Sequence, residues 1–129
     1  MEKRIGTMKD LKEGKYVIID NEPCRVVKVV HSKPGKHGGA KARIDAIGLF
    51  DGQKRTLLGP VSQNVEIPII SKKTAQVLNI IQDRANLMDL ETYETFELEI
   101  PEELKGKLVD GKEVLYMECM GKRKILQIQ

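Results

Sequence analysis

The residue in this chain best placed for unusual chemistry is Lys36. It sits in Ser-Lys-Pro-Gly-Lys-His-Gly-Gly-Ala-Lys, residues 32–41, with Pro34-Gly35 before it and His37, Gly38 and Gly39 after it. Proline presets φ at about −65° and glycine accepts the positive φ that follows, so Pro34-Gly35 fits the centre of a type II turn and Lys36 is the first residue out of it. The glycines leave little side chain to crowd Lys36 and His37, and the amine is expected at an accessible tip. No Asp or Glu lies between Glu22 and Asp45, whereas Arg25, Lys28, Lys33, Lys36, Lys41 and Arg43 do, with His31 and His37 among them. Such a tip suits a polyanion. The plain alternative is a solvated hairpin end.

Other chemistry fails on residue type or spacing. Ser32 lies near His31 and His37, but no acid in this stretch could orient a histidine for nucleophilic catalysis. Gly35-Lys36-His37 lacks the spacing of a phosphate-binding loop, and no helix follows it. The two histidines could meet across a hairpin, yet no third ligand is near, so no metal site is expected. Cys24 and Cys119 are far apart, without Cys-x-x-Cys spacing, and each lies in an apolar strand pattern; they read as buried, reduced thiols. No enzymatic activity is expected.

The elements that must hold the tip are two runs rich in β-branched residues, 24–30 and 42–50, which read as the arms of a hairpin. Residues 1–7 are short and polar, a loose lead-in. Residues 9–14 turn into a strand at 15–20, closed by Asp20-Asn21. Asp51-Gly52 is a hairpin signal between strand-like runs, 54–58 returns from it, Gly59-Pro60 ends that strand, and 64–68 is a last strand. Short strands with frequent turns predict a small all-β barrel.

At Pro68 the charge balance changes sign. Residues 1–70 carry 13 Lys and Arg against 8 acids, and residues 71–129 carry 9 against 11. A domain boundary is placed here, giving 1–69 and 70–129, the basic half being the one fitted to approach phosphates. The second half offers strands at 74–81, 85–90, 93–100, 113–119 and 123–128. A short helix is predicted over 101–108, with Pro101 at its first position, acids near its start and lysines toward its end. Five strands with a helix between the third and fourth is the plan of an OB-fold. Its aromatic residues Tyr93, Phe96 and Tyr116 are too few for a base-stacking platform and are expected in the core or at an edge. No run approaches the ~20 apolar residues that span a bilayer, and no apolar segment follows the charged N-terminus, so a soluble, cytoplasmic protein without membrane contact is expected.

Residues 32–41 closely resemble the modification loop of the translation initiation factor 5A family, the hypusine-containing translation factors, and Lys36 falls on the lysine that becomes hypusine or deoxyhypusine. Residues 11–20 and 22–27 resemble the family's opening strands, and the likeness covers nearly the whole chain. Pro34 and Gly39 stand where eukaryotic members carry Thr and His, the archaeal-type pattern. The resemblance implies an all-β chain, an N-terminal SH3-like barrel carrying the loop followed by a C-terminal OB-fold with one short helix. It implies that deoxyhypusine synthase adds an aminobutyl group from spermidine to Lys36, with Lys33, Gly35, His37, Gly38 and Lys41 forming the recognised loop. It further implies a translation factor, monomeric and without a cofactor of its own, that binds the ribosome beside peptidyl-tRNA and promotes peptide-bond formation, notably at proline runs. Lys33, Lys36, Lys41 and Arg43 would meet tRNA and rRNA. Two alternatives stand beside it: an unmodified structural RNA-binding or ribosomal protein, and an RNA hydrolase.

Overall fold

Apolar and charged side chains alternate clearly along residues 41–48, and turns in the first half come from residues that tolerate unusual backbone angles. The structure, a computed structural model, describes residues 3–32 and 39–129. The chain divides into two units, Met1–Ile69 and Ile70–Gln129.

The first unit is an antiparallel sheet of β1 (Lys3–Thr7), β2 (Tyr16–Ile19), β3 (Glu22–Ser32), β4 (Lys41–Gly48), β5 (Lys54–Pro60) and β6 (Asn64–Pro68) in the order β1-β6-β2-β3-β4-β5. It is an SH3-like barrel around Met8, Leu11, Val17, Val26, Ile44 and Ile67, with Cys24 buried among them as a free thiol. Asp20 and Asn21 both take positive φ, 53° and 63°, and close the β2–β3 hairpin in two residues. Of the loose lead-in expected over residues 1–7, the described part is ordered: Lys3–Thr7 is a strand, paired along its length from Lys3 opposite Pro68 to Thr7 opposite Asn64. Its order comes from the otherwise open edge of β6. Lys3 and Glu66 add an ion pair at 2.5 Å. Beyond it, the Asp10 carboxylate accepts from the Thr7 amide at 2.9 Å and its hydroxyl at 3.2 Å, fixing a 3-10 turn at Met8–Asp10 that seats Met8 in the core.

The turn from β4 to β5 is a carboxylate clamp. Asp51 accepts from Arg55 through both oxygens, at 3.1 and 2.8 Å, and from the Gln53 amide at 3.0 Å, and Arg55 above all holds its carboxyl down at about 2. Gly52 supplies the positive φ of 68°. A side chain at Gly48 would put its Cβ 1.9 Å from the Asp51 carboxylate, so only glycine leaves room for the clamp.

The second unit is an OB-fold of β7 (Ser71–Ile81), β8 (Arg84–Asp89), β9 (Thr95–Glu99), β10 (Glu113–Cys119) and β11 (Lys122–Ile128), ordered β11-β10-β7-β8-β9. The helix predicted over 101–108 is a single 3-10 turn, Glu102–Leu104. Lys105 is already extended and Gly106 takes a φ of 80°, which stops propagation despite the favourable proline and charges. Side chains bridge the outer strands: Arg123 of β11 lies 4.3 Å over the Phe96 ring of β9 and makes two hydrogen bonds, 2.9 and 3.2 Å, to Glu94. Cys119 is buried and free. No helix among the described residues is long and apolar enough to cross a membrane.

Candidate modification hairpin and its basic face

The hairpin predicted around the lysine-bearing stretch is formed by β3 and β4, which remain paired as far as Ser32 opposite Lys41. Lys33, Pro34, Gly35, Lys36, His37 and Gly38 lie outside the described residues. On the return side, Gly39 is exposed, and the Val61 amide donates to the Ala40 carbonyl at 3.0 Å, tying the chain back to the barrel before β4 begins.

The outer faces of β3, β4 and β5 form one surface because their registers align. Ser32, Lys41 and Pro60 make the row nearest the tip; Val30, Arg43 and Leu58 the next; then Lys28, Asp45 and Thr56; then Arg25, Ile47 and Lys54. Lys41 and Arg43, expected at the site, are both exposed here, and His31 is exposed opposite Ala42 on the other alternation. The structure adds Lys54 and brings Arg25 and Lys28, noted in the cationic run, onto this face. Arg25 and Lys28 are three residues apart and would face opposite ways in a regular strand, but a bulge between Val26 and Lys28 turns both outward. Sequence alternation could have found them only with that extra residue counted.

Asp45 is the lone acid in these four rows, and its charge is occupied. Thr56 donates to it at 2.9 Å and Arg43 at 3.3 Å, in that order of effect lowering its carboxyl pKa. Leu58 is 71% exposed beside Arg43, and Val30 and Ile47 are partly open to solvent. The surface running from the tip is thus cationic with apolar interruptions. Among the described residues no three His, Cys, Asp or Glu side chains gather as a metal site would require.

Of the aromatics in the second unit, Tyr116 is core and Phe96 is half-buried against it, ring centroids 5.0 Å apart. Tyr93 is neither core nor strand edge. It lies in the turn before β9 and is 70% exposed, because hydrogen bonds from Glu91 and Thr92 to the Asp89 carboxylate hold a turn that takes residues 93 and 94 out of the strand expected over 93–100.

The fold and the site define a two-domain all-β protein, an SH3-like barrel with a basic hairpin followed in the chain by an OB-fold. A model described as "Translation initiation factor 5A-like, N-terminal" matches residues 6–63, and one described as "Eukaryotic elongation factor 5A hypusine, DNA-binding OB fold" matches residues 69–129. The translation initiation factor 5A of Archaeoglobus fulgidus is 58% identical over 118 residues, covering 92% of each chain, and that of Methanocella arvoryzae is 59% identical over 122, covering 95% of each. Among solved structures, the eukaryotic translation initiation factor 5A from Methanococcus jannaschii superposes with a TM-score of 0.93 at 45% identity, covering 99% of this chain and 98% of that one. The chain belongs to the translation initiation factor 5A family, whose members are translation factors rather than enzymes.

Proposed function

We propose that this chain acts on the ribosome beside peptidyl-tRNA and promotes peptide-bond formation at proline-rich stalls through a hypusine or deoxyhypusine side chain at Lys36. The observation that carries this reading is the Ser32 to Lys41 sequence, carried at the end of a paired hairpin in a chain of this family. Addition of an aminobutyl group from spermidine by deoxyhypusine synthase lengthens the lysine arm and adds a second positive charge. The longer dication reaches between RNA phosphates where ordinary lysine stops short.

Lys33, Lys41 and Arg43 supply charge toward the RNA backbone, Gly35 and Gly38 allow close approach, and His37 shapes the loop. The cations Arg25, Lys28 and Lys54 continue the surface away from the tip. Catalysis belongs to the ribosome, and this protein contributes positioning of a poorly reacting donor. The second domain makes limited ribosome or tRNA contacts, and the protein works as a cytoplasmic monomer.

Intact mass of protein from its native source, with peptide fragmentation, is expected to place one aminobutyl-derived addition on Lys36. Lys36→Arg keeps the charge but cannot accept that group, so it is expected to lose stimulation of proline-rich synthesis with an unchanged melting temperature. An unmodified Lys36 in native protein, or full activity of Lys36→Arg, rejects the reading.

A further inference from the structure

Five residues other than glycine have positive φ: Asp20, Asn21, Gln82, Tyr93 and Met120, among the described residues. Asp and Asn suit that region, whereas a bulky aromatic pays for it in steric strain. Tyr93 adopts φ 62° and does not recover the cost by burying its ring, which is 70% exposed. Glycine would satisfy the same turn with no strain. A strained residue that the surrounding structure over-determines is a sign of function.

The over-determination is visible. The Tyr93 amide donates to the Asp89 carbonyl at 2.8 Å and the Asp89 amide to the Glu94 carbonyl at 2.9 Å. One oxygen of the buried Asp89 carboxylate accepts from the Glu91 and Thr92 amides at 2.8 and 2.9 Å, and the other accepts from the Tyr116 hydroxyl at 2.5 Å. The turn is pinned to the core, and the ring it presents is left outside. Exposed aromatics held rigidly lose little entropy on binding and are frequent anchors of interfaces.

Charge selects the partner. Glu91 and Glu94 flank Tyr93 and both are exposed. The nearby Arg123 already donates to Glu94 and, at 2.7 Å, to Glu118, and Lys73 also pairs with Glu118 at 3.3 Å. Glu94 and Glu118 are thus matched by Arg123 and Lys73, whereas residues 89–94 hold three acids and no cation, so the turn itself disfavours a phosphate backbone and attracts a cation. We propose that the Tyr93 turn is a docking point for an arginine- or lysine-rich segment of a protein partner, the ring taking a cation on its face and Glu91 supplying the charge beside it. This surface belongs to the second domain and is independent of any modification of Lys36.

The test uses the full chain, 15N-labelled and unmodified at Lys36, titrated with a decapeptide of alternating Arg and Gly and separately with decauridylate. The peptide is expected to give saturable amide shifts centred on residues 91–94. Tyr93→Phe keeps the affinity, and Tyr93→Gly weakens it by about threefold or more, the scale of one exposed cation–π contact, while its melting temperature stays equal or rises as the strain is relieved. The proposal is overturned if the peptide shifts other surfaces only, if Tyr93→Gly binds equally well, if Tyr93→Gly is destabilised so that the ring is structural, or if decauridylate rather than the peptide moves the turn.

Discussion

Asp89 shows how one buried side chain organises a domain. It is 2% exposed yet charged, and the Tyr116 hydroxyl, followed by the Thr92 and Glu91 amides, outweighs burial and lowers its carboxyl to about 2. Burial and the hydrogen bond to Asp89 in turn push the Tyr116 hydroxyl upward, so it remains a donor at neutral pH. The folded Asp89 pKa lies below the ordinary aspartate value of 3.8, so its contribution to stability is fully present above that value and is lost as pH falls through about 2. Tyr116→Phe removes the largest of these effects. The Asp89 carboxyl is expected to titrate at higher pH, read by carbon NMR, and the second domain to lose about 1–2 kcal/mol at neutral pH, read by urea unfolding. An unmoved titration and midpoint would show that the hydroxyl is not what holds the carboxylate.

Among the elements, β1 depends most on a distant partner. Lys-Arg-Ile-Gly-Thr has one large apolar residue, and Ile5 is itself 64% exposed, so nothing local announces a strand. The ladder to β6 makes it one. Deleting residues 1–6 is expected to lower the stability of the first domain by about 2 kcal/mol, a few net hydrogen bonds less the entropy of ordering the segment, and to leave an open edge prone to self-association. Urea unfolding and size-exclusion chromatography check both; an unchanged midpoint in a monomeric variant would refute them.

What the sequence made legible divides along the same line. The β3–β4 hairpin, the Asp51-Gly52 turn and the strands of the second half carry their signals within a few residues, as alternation or turn chemistry. The strand at β1, the outward pairing of Arg25 with Lys28 and the turn around Tyr93 are set by a partner strand, a bulge and a buried carboxylate, each dependent on tertiary contact. The helix expected over 101–108 fails for the opposite reason: Pro101 and the charges after it favour a helical start, but Gly106 overrules them within two turns. For Lys36 the expectation of a covalent fate comes from the family resemblance alone, since a lysine flanked by proline and glycines in sequence specifies none.

For the whole molecule, two cores in sequence imply two folding units. Ile44 and Val26 centre one cluster, Leu87, Tyr116 and Ile125 the other. Each unit is small enough that only about 60% of its unfolded surface is buried, so each is expected to fold alone with modest stability. Fragments 1–69 and 70–129 are predicted to give dispersed amide spectra and cooperative thermal transitions. A fragment that stays unfolded would mean that its core needs the rest of the chain.

The placement of sulfur has a practical corollary. Each unit holds a single cysteine, and both are sequestered, with the thiol pKa raised by loss of solvent around Cys24 and Cys119 alike. Alkylating reagents need an accessible thiolate, so the native chain resists them and the pace of trapping at each position becomes a stopwatch for local opening. Breathing of the two barrels can be timed in one sample, without installing a probe.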